Sequence, residues 1–224
     1  MNGVECYIRK CRDLMDPLED PETFSSLSEA RLEKIKKYKS PEDRKRGACA
    51  GLMIEEHLKA HGHSPDEVMI DSHGRPRIDG LDFNISHAGD YVIMALSDYP
   101  VGCDIERLRD RKSNIAKRFF SASEKEWMEG EKDRQVAFYR VWTARESYVK
   151  YTGEGISLDF QRYEVQFSKE SPQTLLVEGD LRDVPYLGTA KITRDGKLQD
   201  CRIHQWRFDR DYVISVCGSF STVS

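Results

Sequence analysis

Residues 81–106 read LDFNISHAGDYVIMALSDYPVGCDIE. Three runs, 81–86, 91–96 and 101–106, are separated by turns containing Gly89 or Pro100, the pattern of short strands joined tightly. Side chains alternate along a strand, so Asp104 and Glu106 share a face in the third run while Ile105 enters a core. Two carboxylates a few ångström apart repel by up to about 4 kcal/mol at an effective dielectric near 20. A divalent cation removes that penalty, and magnesium accepts paired oxygens beside water and phosphate. A solvated strand edge with two independent acids explains the hexapeptide equally well on its own.

Working outward, residues 3–8 predict a strand and 27–38 a helix. Ser40-Pro41-Glu42-Asp43 predicts a helix start, with a serine cap, proline at the first position and acids at the positive end. That helix should run to about residue 60. Ser121-Ala122-Ser123-Glu124 is a capping box before another helix, and 133–151 is the longest helix. Strands follow at about 160–167, 174–177, 187–192, 203–208 and 212–216. The order predicts an α+β fold of two similar halves, 1–99 and 100–224, hinged near 97–102. Asp90-Tyr91-Val92-Ile93 recurs as Asp211-Tyr212-Val213-Ile214, a short match in the direction of duplication.

Composition narrows the function. The 224 residues are 38% hydrophobic and 33% charged, above the usual ~25% charged, so long solvated helix faces are expected. A net charge of -4 argues against a general nucleic-acid binder, which neutralises phosphates with a basic surface. Six cysteines without a C-x-x-C pair predict reduced thiols in a cytoplasmic protein. Residues 1–10 lack the apolar core of a secretory signal, and no run approaches the ~18 apolar residues of a membrane span.

Trp142-Thr143-Ala144-Arg145-Glu146-Ser147-Tyr148-Val149-Lys150 lies on the longest helix. Glu146 and Lys150 are neighbours on one face, either as an ordinary surface pair or as a third metal ligand beside a cation for phosphate. Between Arg31 and Arg46, eight basic residues stand against three acids. That bias fits either a solvated helix pair or a local anion site for a small polyphosphate. Ser86 and His87 end a strand before a Gly turn and can donate to phosphate; His87 can instead act as a base or fill a turn. His73-Gly74-Arg75-Pro76 offers a turn with a guanidinium able to meet a purine. No Gly-rich phosphate loop of the Walker or Rossmann kind occurs.

Together Phe83-Asn84-Ile85-Ser86-His87, Val101–Glu106 and Trp142–Lys150 resemble, in order and spacing, the signature segments of 4′-phosphopantetheinyl transferases. Gly74-Arg75-Pro76, Phe119-Phe120-Ser121 and Gly153-Glu154-Gly155 agree as well. The length is similar to that of the surfactin-synthetase-activating (Sfp-type) branch. The resemblance implies a monomeric pseudo-dimer of two α/β halves with coenzyme A in the cleft between them. By matching position, Asp104, Glu106 and Glu146 would hold Mg²⁺ (or Mn²⁺) on the pyrophosphate. Lys150, Ser86 and His87 would contact phosphates. Arg31, Lys34 and Arg46 would hold the 3′-phosphate, and Gly74, Arg75 and Pro76 would border the adenine. Residues 113–121 and the next helix would help dock an acyl or peptidyl carrier protein. Glu146, Lys150 and His87 are the candidate catalytic residues, with Glu146 as general base. Arg145 and Arg75 stand where the family usually has lysine. Two other readings share these residues: a metal-dependent nucleotide hydrolase or nuclease, marked by nucleotide release without a carrier, and a non-catalytic coenzyme A or carrier-protein binding relative, marked by binding without transfer.

Overall fold

The computed structural model describes residues 3–20, 22, 24–72, 75–109, 114–154, 162–168 and 177–219. Strand β1 (Val4–Lys10) buries Val4 and Cys6 by simple alternation. Helix α1 (Glu29–Lys36) starts two residues later than its apolar pattern suggests, because the Ser28 hydroxyl accepts the Arg31 N–H and fixes the cap. Helix α2 (Pro41–Ala60) begins as the sequence predicts, with Ser40 Oγ accepting from Asp43 N at 3.0 Å and Pro41 in the first turn. A two-residue hairpin then follows, β2 (Met69–Ile70) with β3 (Pro76–Arg77). Strands β4 (Asp82–Ala88), β5 (Tyr91–Ser97) and β6 (Val101–Arg107) match the three opening runs.

Beyond them lie α3 (Asn114–Phe119), α4 (Ala122–Gly130) and α5 (Arg134–Thr152), which stops at Gly153 in the left-handed conformation, φ 72°. The remaining strands are β7 (Tyr163–Ser168), β8 (Val177–Gly179), β9 (Tyr186–Arg194), β10 (Lys197–Leu198), β11 (Arg202–Phe208) and β12 (Tyr212–Gly218). The expected strand portions at 160–161 and 174–176 fall outside the described residues.

Two main sheets form. One has the order β4-β5-β1-β8; the other runs β10-β9-β11-β12-β6 with β7 also on β9. The path β1, α2, β4, β5 and the path β6, α5, β11, β12 arrange their strands alike, as β4-β5-β1 and β11-β12-β6. The repeated tetrapeptide sits at equivalent hairpin positions, opening β5 and β12. Only residues 98–100 separate β5 from β6, and Gly102 lies inside β6.

One apolar core is shared by the two sheets, uniting Val4, Cys6, Ile93, Ile105, Trp206 and Ile214. Separate cores lie under α2 (Met53, Leu58, Phe83) and under α5 (Val141, Tyr148, Ile203). All six cysteines are buried and free. The edges of β4 and β6 meet along an unusual seam. Three polar side chains at alternate positions of β4 accept the edge N–H groups of β6: Asp82 from Val101 at 2.7 Å, Asn84 from Cys103 at 3.0 Å and Ser86 from Ile105 at 3.4 Å. Buried backbone donors need partners, and here side chains supply them where no strand ladder does.

Candidate active site

The seam sets the site. Asp104 is buried on β6, with Ile105 turned into the shared core as alternation requires. Helix α5 passes so close to β6 that a Cβ on Gly102 would lie 2.1 Å from Ser147 O and 2.4 Å from Tyr151 N. Only glycine admits this approach, and it brings the last turns of α5 over Asp104. Lys150 Nζ donates to Asp104 Oδ1 at 2.7 Å, Ser86 Oγ at 2.9 Å and Cys103 O at 3.1 Å. Ser86 Oγ donates to the same Asp104 oxygen at 2.8 Å. Three elements, β4, β6 and α5, thus converge on one carboxylate.

The other Asp104 oxygen, Oδ2, is buried without a hydrogen-bond partner. Glu146 sits one turn before Lys150. Its burial, with the Asp104 charge and to a smaller degree that of Glu106, pushes its carboxyl up to about 7, against a lowering from Lys150. Burial would lower Lys150, but Asp104, Cys103 and Glu146 outweigh it and hold the ammonium charged. Glu106 is half-buried and accepts from Trp142 Nε1 at 3.2 Å, a link between β6 and α5. Among the described residues no group of three or more His, Cys, Asp or Glu side chains is arranged as a ready-made metal cage. Even so, the donor chemistry suits a divalent cation. A buried carboxylate oxygen stands unpaired, and mutually repelling acids share one lysine, an imbalance a cation corrects.

A cleft of about 610 Å³ opens beside the seam, lined by Leu27, Arg31, Lys34, Ile54, Ile70 and Pro76 among others and reaching Asn84 and Ile85 on β4. Arg31 is half-buried there, its pKa lowered by that burial. Lys34 is exposed at the rim. The apolar walls and basic rim form an amphipathic slot for a ring carrying an anion. Arg46 sits apart from this wall, donating to Gly89 O at 2.9 Å and pairing with Asp43. His87 is exposed at the end of β4. Desolvation, Arg46 and Lys150 lower its pKa; because the ring meets solvent, the two cations are the firmer cause. A lowered pKa leaves the imidazole neutral near pH 7, able to donate or accept.

Two arginines take roles that charge alone did not reveal. Arg145 is fully buried, with Nε and Nη2 on Glu124 at 3.0 and 2.6 Å and Nη2 also on Tyr163 O at 2.7 Å. Glu124 in turn closes the α4 capping box through Ser121 N and accepts from Val165 N. Arg145 therefore faces away from the carboxylates and ties α5 to α4 and β7. Arg75 is buried and spends its guanidinium on Lys150 O, Tyr151 O, Val101 O and Asp82, so its fork is not on the cleft wall with Pro76. Gly74 lies outside the described residues. Asp82 and Asn84 were missed as site-building residues; the polar alternation Asp82, Asn84, Ser86 was the available signal.

Residues 100–217 match the family model described as the 4′-phosphopantetheinyl transferase superfamily, and residues 21–98 match one described as 4′-phosphopantetheinyl transferase, N-terminal. A 4′-phosphopantetheinyl transferase of Bacillus subtilis is 27% identical over 209 residues, covering 90% of this chain and 86% of the relative. The 4′-phosphopantetheinyl transferase Sfp of Bacillus subtilis strain 168 is 30% identical, covering 83% of this chain and 87% of its own. The 4′-phosphopantetheinyl transferase AcpT of Salmonella typhimurium is 41% identical over 95 residues, covering 39% of this chain and 50% of its own. Among the described residues no helix is long and apolar enough to cross a membrane.

Proposed function

We propose a specific reaction for this chain, which belongs to the 4′-phosphopantetheinyl transferase superfamily and is a transferase. It moves the 4′-phosphopantetheine of coenzyme A onto a serine hydroxyl of an acyl or peptidyl carrier protein and requires Mg²⁺. The serine oxygen bonds to the pantetheine-side phosphorus, the bond from that same phosphorus to the bridging oxygen breaks, and 3′,5′-ADP leaves with the bridging oxygen. The displaced proton passes to Glu146, or to solvent through it. The observation that carries the reading is the meeting of Ser86 and Lys150 on Asp104, whose second oxygen is buried and unpaired and whose charge is felt by Glu146.

Asp104, Glu106 and Glu146 would hold the Mg²⁺, which supplies Lewis-acid neutralisation of the diphosphate. Lys150 would turn from Asp104 to the phosphates, joined by Ser86 and the neutral His87. Arg31 and Lys34 would hold the 3′-phosphate at the cleft rim, with Arg46 near the hairpin end. Gly74 and Pro76 would border the adenine between apolar walls. Positioning and charge neutralisation then carry most of the rate. The matching strand orders support a pseudo-dimer of halves 1–99 and 100–224; that it works as a cytoplasmic monomer is part of the same proposal. Residues 113–121 with α4 would receive the carrier. Incubating a panel of apo carrier proteins with coenzyme A and Mg²⁺ should add one phosphopantetheine mass to at least one, and EDTA should prevent it. No mass gain on any carrier, with coenzyme A bound, would sink the reading.

A further inference from the structure

We propose that Arg75 is a positioning residue for the transfer step, holding the last turn of α5, and through it Lys150, in register with Asp104 and Ser86. A helix ends with unpaired carbonyls and a partial negative charge. Nη1 of Arg75 takes two of those carbonyls, Lys150 O at 2.5 Å and Tyr151 O at 3.0 Å. Nη2 takes Val101 O at 3.0 Å and Asp82 Oδ2 at 2.5 Å. The same Asp82 oxygen accepts from Val101 N. One ion pair therefore fastens α5 to β4 and β6.

Lys150 is gripped at both ends: its carbonyl by Arg75, its ammonium by Asp104, Ser86 and Cys103 O. With the carbonyl fixed, the side chain starts from a fixed point, and rotation of its ammonium between Asp104 and an incoming phosphate needs no shift of the helix. Gly153 completes the fit. A Cβ there would lie 3.2 Å from Arg75 Nη1 and 3.4 Å from its Cδ, so the left-handed glycine both stops the helix and admits the guanidinium. The remaining donor, Nε, is buried without a partner. Both terminal nitrogens of the fork are taken by protein acceptors, and the cleft is lined by Arg31, Lys34 and Pro76. Holding and binding are thus assigned to different residues.

This inference rests on the proposed transferase reaction. The test compares Arg75→Gln made in an Asp82→Asn background, which leaves no unpaired buried charge, with Asp82→Asn alone and with Arg75→Lys. Carrier modification should show kcat reduced ten- to a hundredfold in the Gln variant with KM for coenzyme A within twofold of Asp82→Asn. Arg75→Lys, which returns one cation to the helix end, should recover most of the rate. A raised KM with kcat kept would assign Arg75 to the nucleotide and overturn the proposal. Amide hydrogen exchange gives a readout independent of activity. Exchange at residues 149–153 should quicken at least tenfold in the Gln variant and stay unchanged in α2. Unchanged exchange there overturns the positioning role even if the wild type modifies no carrier, the result that would overturn the reaction itself.

Discussion

Replacing Glu146 by glutamine should stabilise the metal-free fold while abolishing transfer. Burial and the Asp104 charge raise the Glu146 carboxyl from 4.5 to about 7 in the folded protein. Below pH 4.5 the acid is protonated in both states and has no pH-linked effect. Between pH 4.5 and 7 the unfolded chain releases a proton that the folded chain keeps, so stability falls as pH rises. At about 1.4 kcal/mol per unit, the loss totals about 3 kcal/mol above pH 7. Glutamine has the same shape and no charge at any pH, so it escapes this loss. The stability gap between Glu146→Gln and wild type should therefore widen by about 2 to 3 kcal/mol between pH 5 and pH 8. For a chain of this length that corresponds to about 4–12 °C in Tm. Urea unfolding of both proteins in EDTA at the two pH values measures the gap, and any fixed effect of the amide cancels in the difference. A gap that stays constant with pH would mean that Glu146 is not held protonated by its neighbours, and the electrostatic account of the site would fail with it.

Three further outcomes follow from contacts elsewhere. Gly102→Ala places a methyl against backbone of α5, 2.1 Å from Ser147 O; the helix must shift, costing about 1–3 kcal/mol, and both the thermal midpoint and carrier modification should drop. Arg145→Ala leaves Glu124 buried and unpaired and should cost about 3–5 kcal/mol, whereas Arg145→Lys should lose less stability and keep kcat in the folded fraction. Loss of kcat in a well-folded Arg145→Lys would show that Arg145 serves the phosphates after all. Arg31→Ala should raise KM for coenzyme A about tenfold or more, the weight of a charged hydrogen bond, yet leave KM for 3′-dephospho-coenzyme A nearly unchanged; equal effects on both would remove Arg31 from the 3′-phosphate.

What the sequence made legible was local chemistry. The start of α2 followed from Ser40 and Pro41 because a cap and its N–H partner lie three residues apart. The capping box at Ser121 and Glu124 followed for the same reason. Asp104 was placed by strand alternation, and Glu146 and Lys150 by helical spacing. The elements that escaped notice were too short to show a period: the two-residue strands β2, β3 and β10 and the six-residue α3. The need for glycine at 102 was not legible, because nothing in its own stretch shows that a helix from residues 147–151 will press against it.

Charge was the property least legible in the sequence, because the partner that answers a cation can lie far along the chain. The basic stretch from Arg31 to Arg46 fits either a solvated helix pair or a local anion site, and the fold divides it. Arg44 is taken by buried Asp16, 28 residues away, and by the carbonyls of Tyr38 and Lys39. Lys36 pairs with Glu33, and Arg46 with Asp43. Arg31 and Lys34 are left lining the cleft. The same selection acts on Arg75 and Arg145, whose partners Lys150 O and Glu124 lie 75 and 21 residues off. A cation answered as Arg44, Arg75 and Arg145 are holds the scaffold; one left in a half-buried wall, as Arg31 is, remains available to an anion. Within a family motif, the position of an arginine therefore says less about its role than the identity of the acceptor it meets.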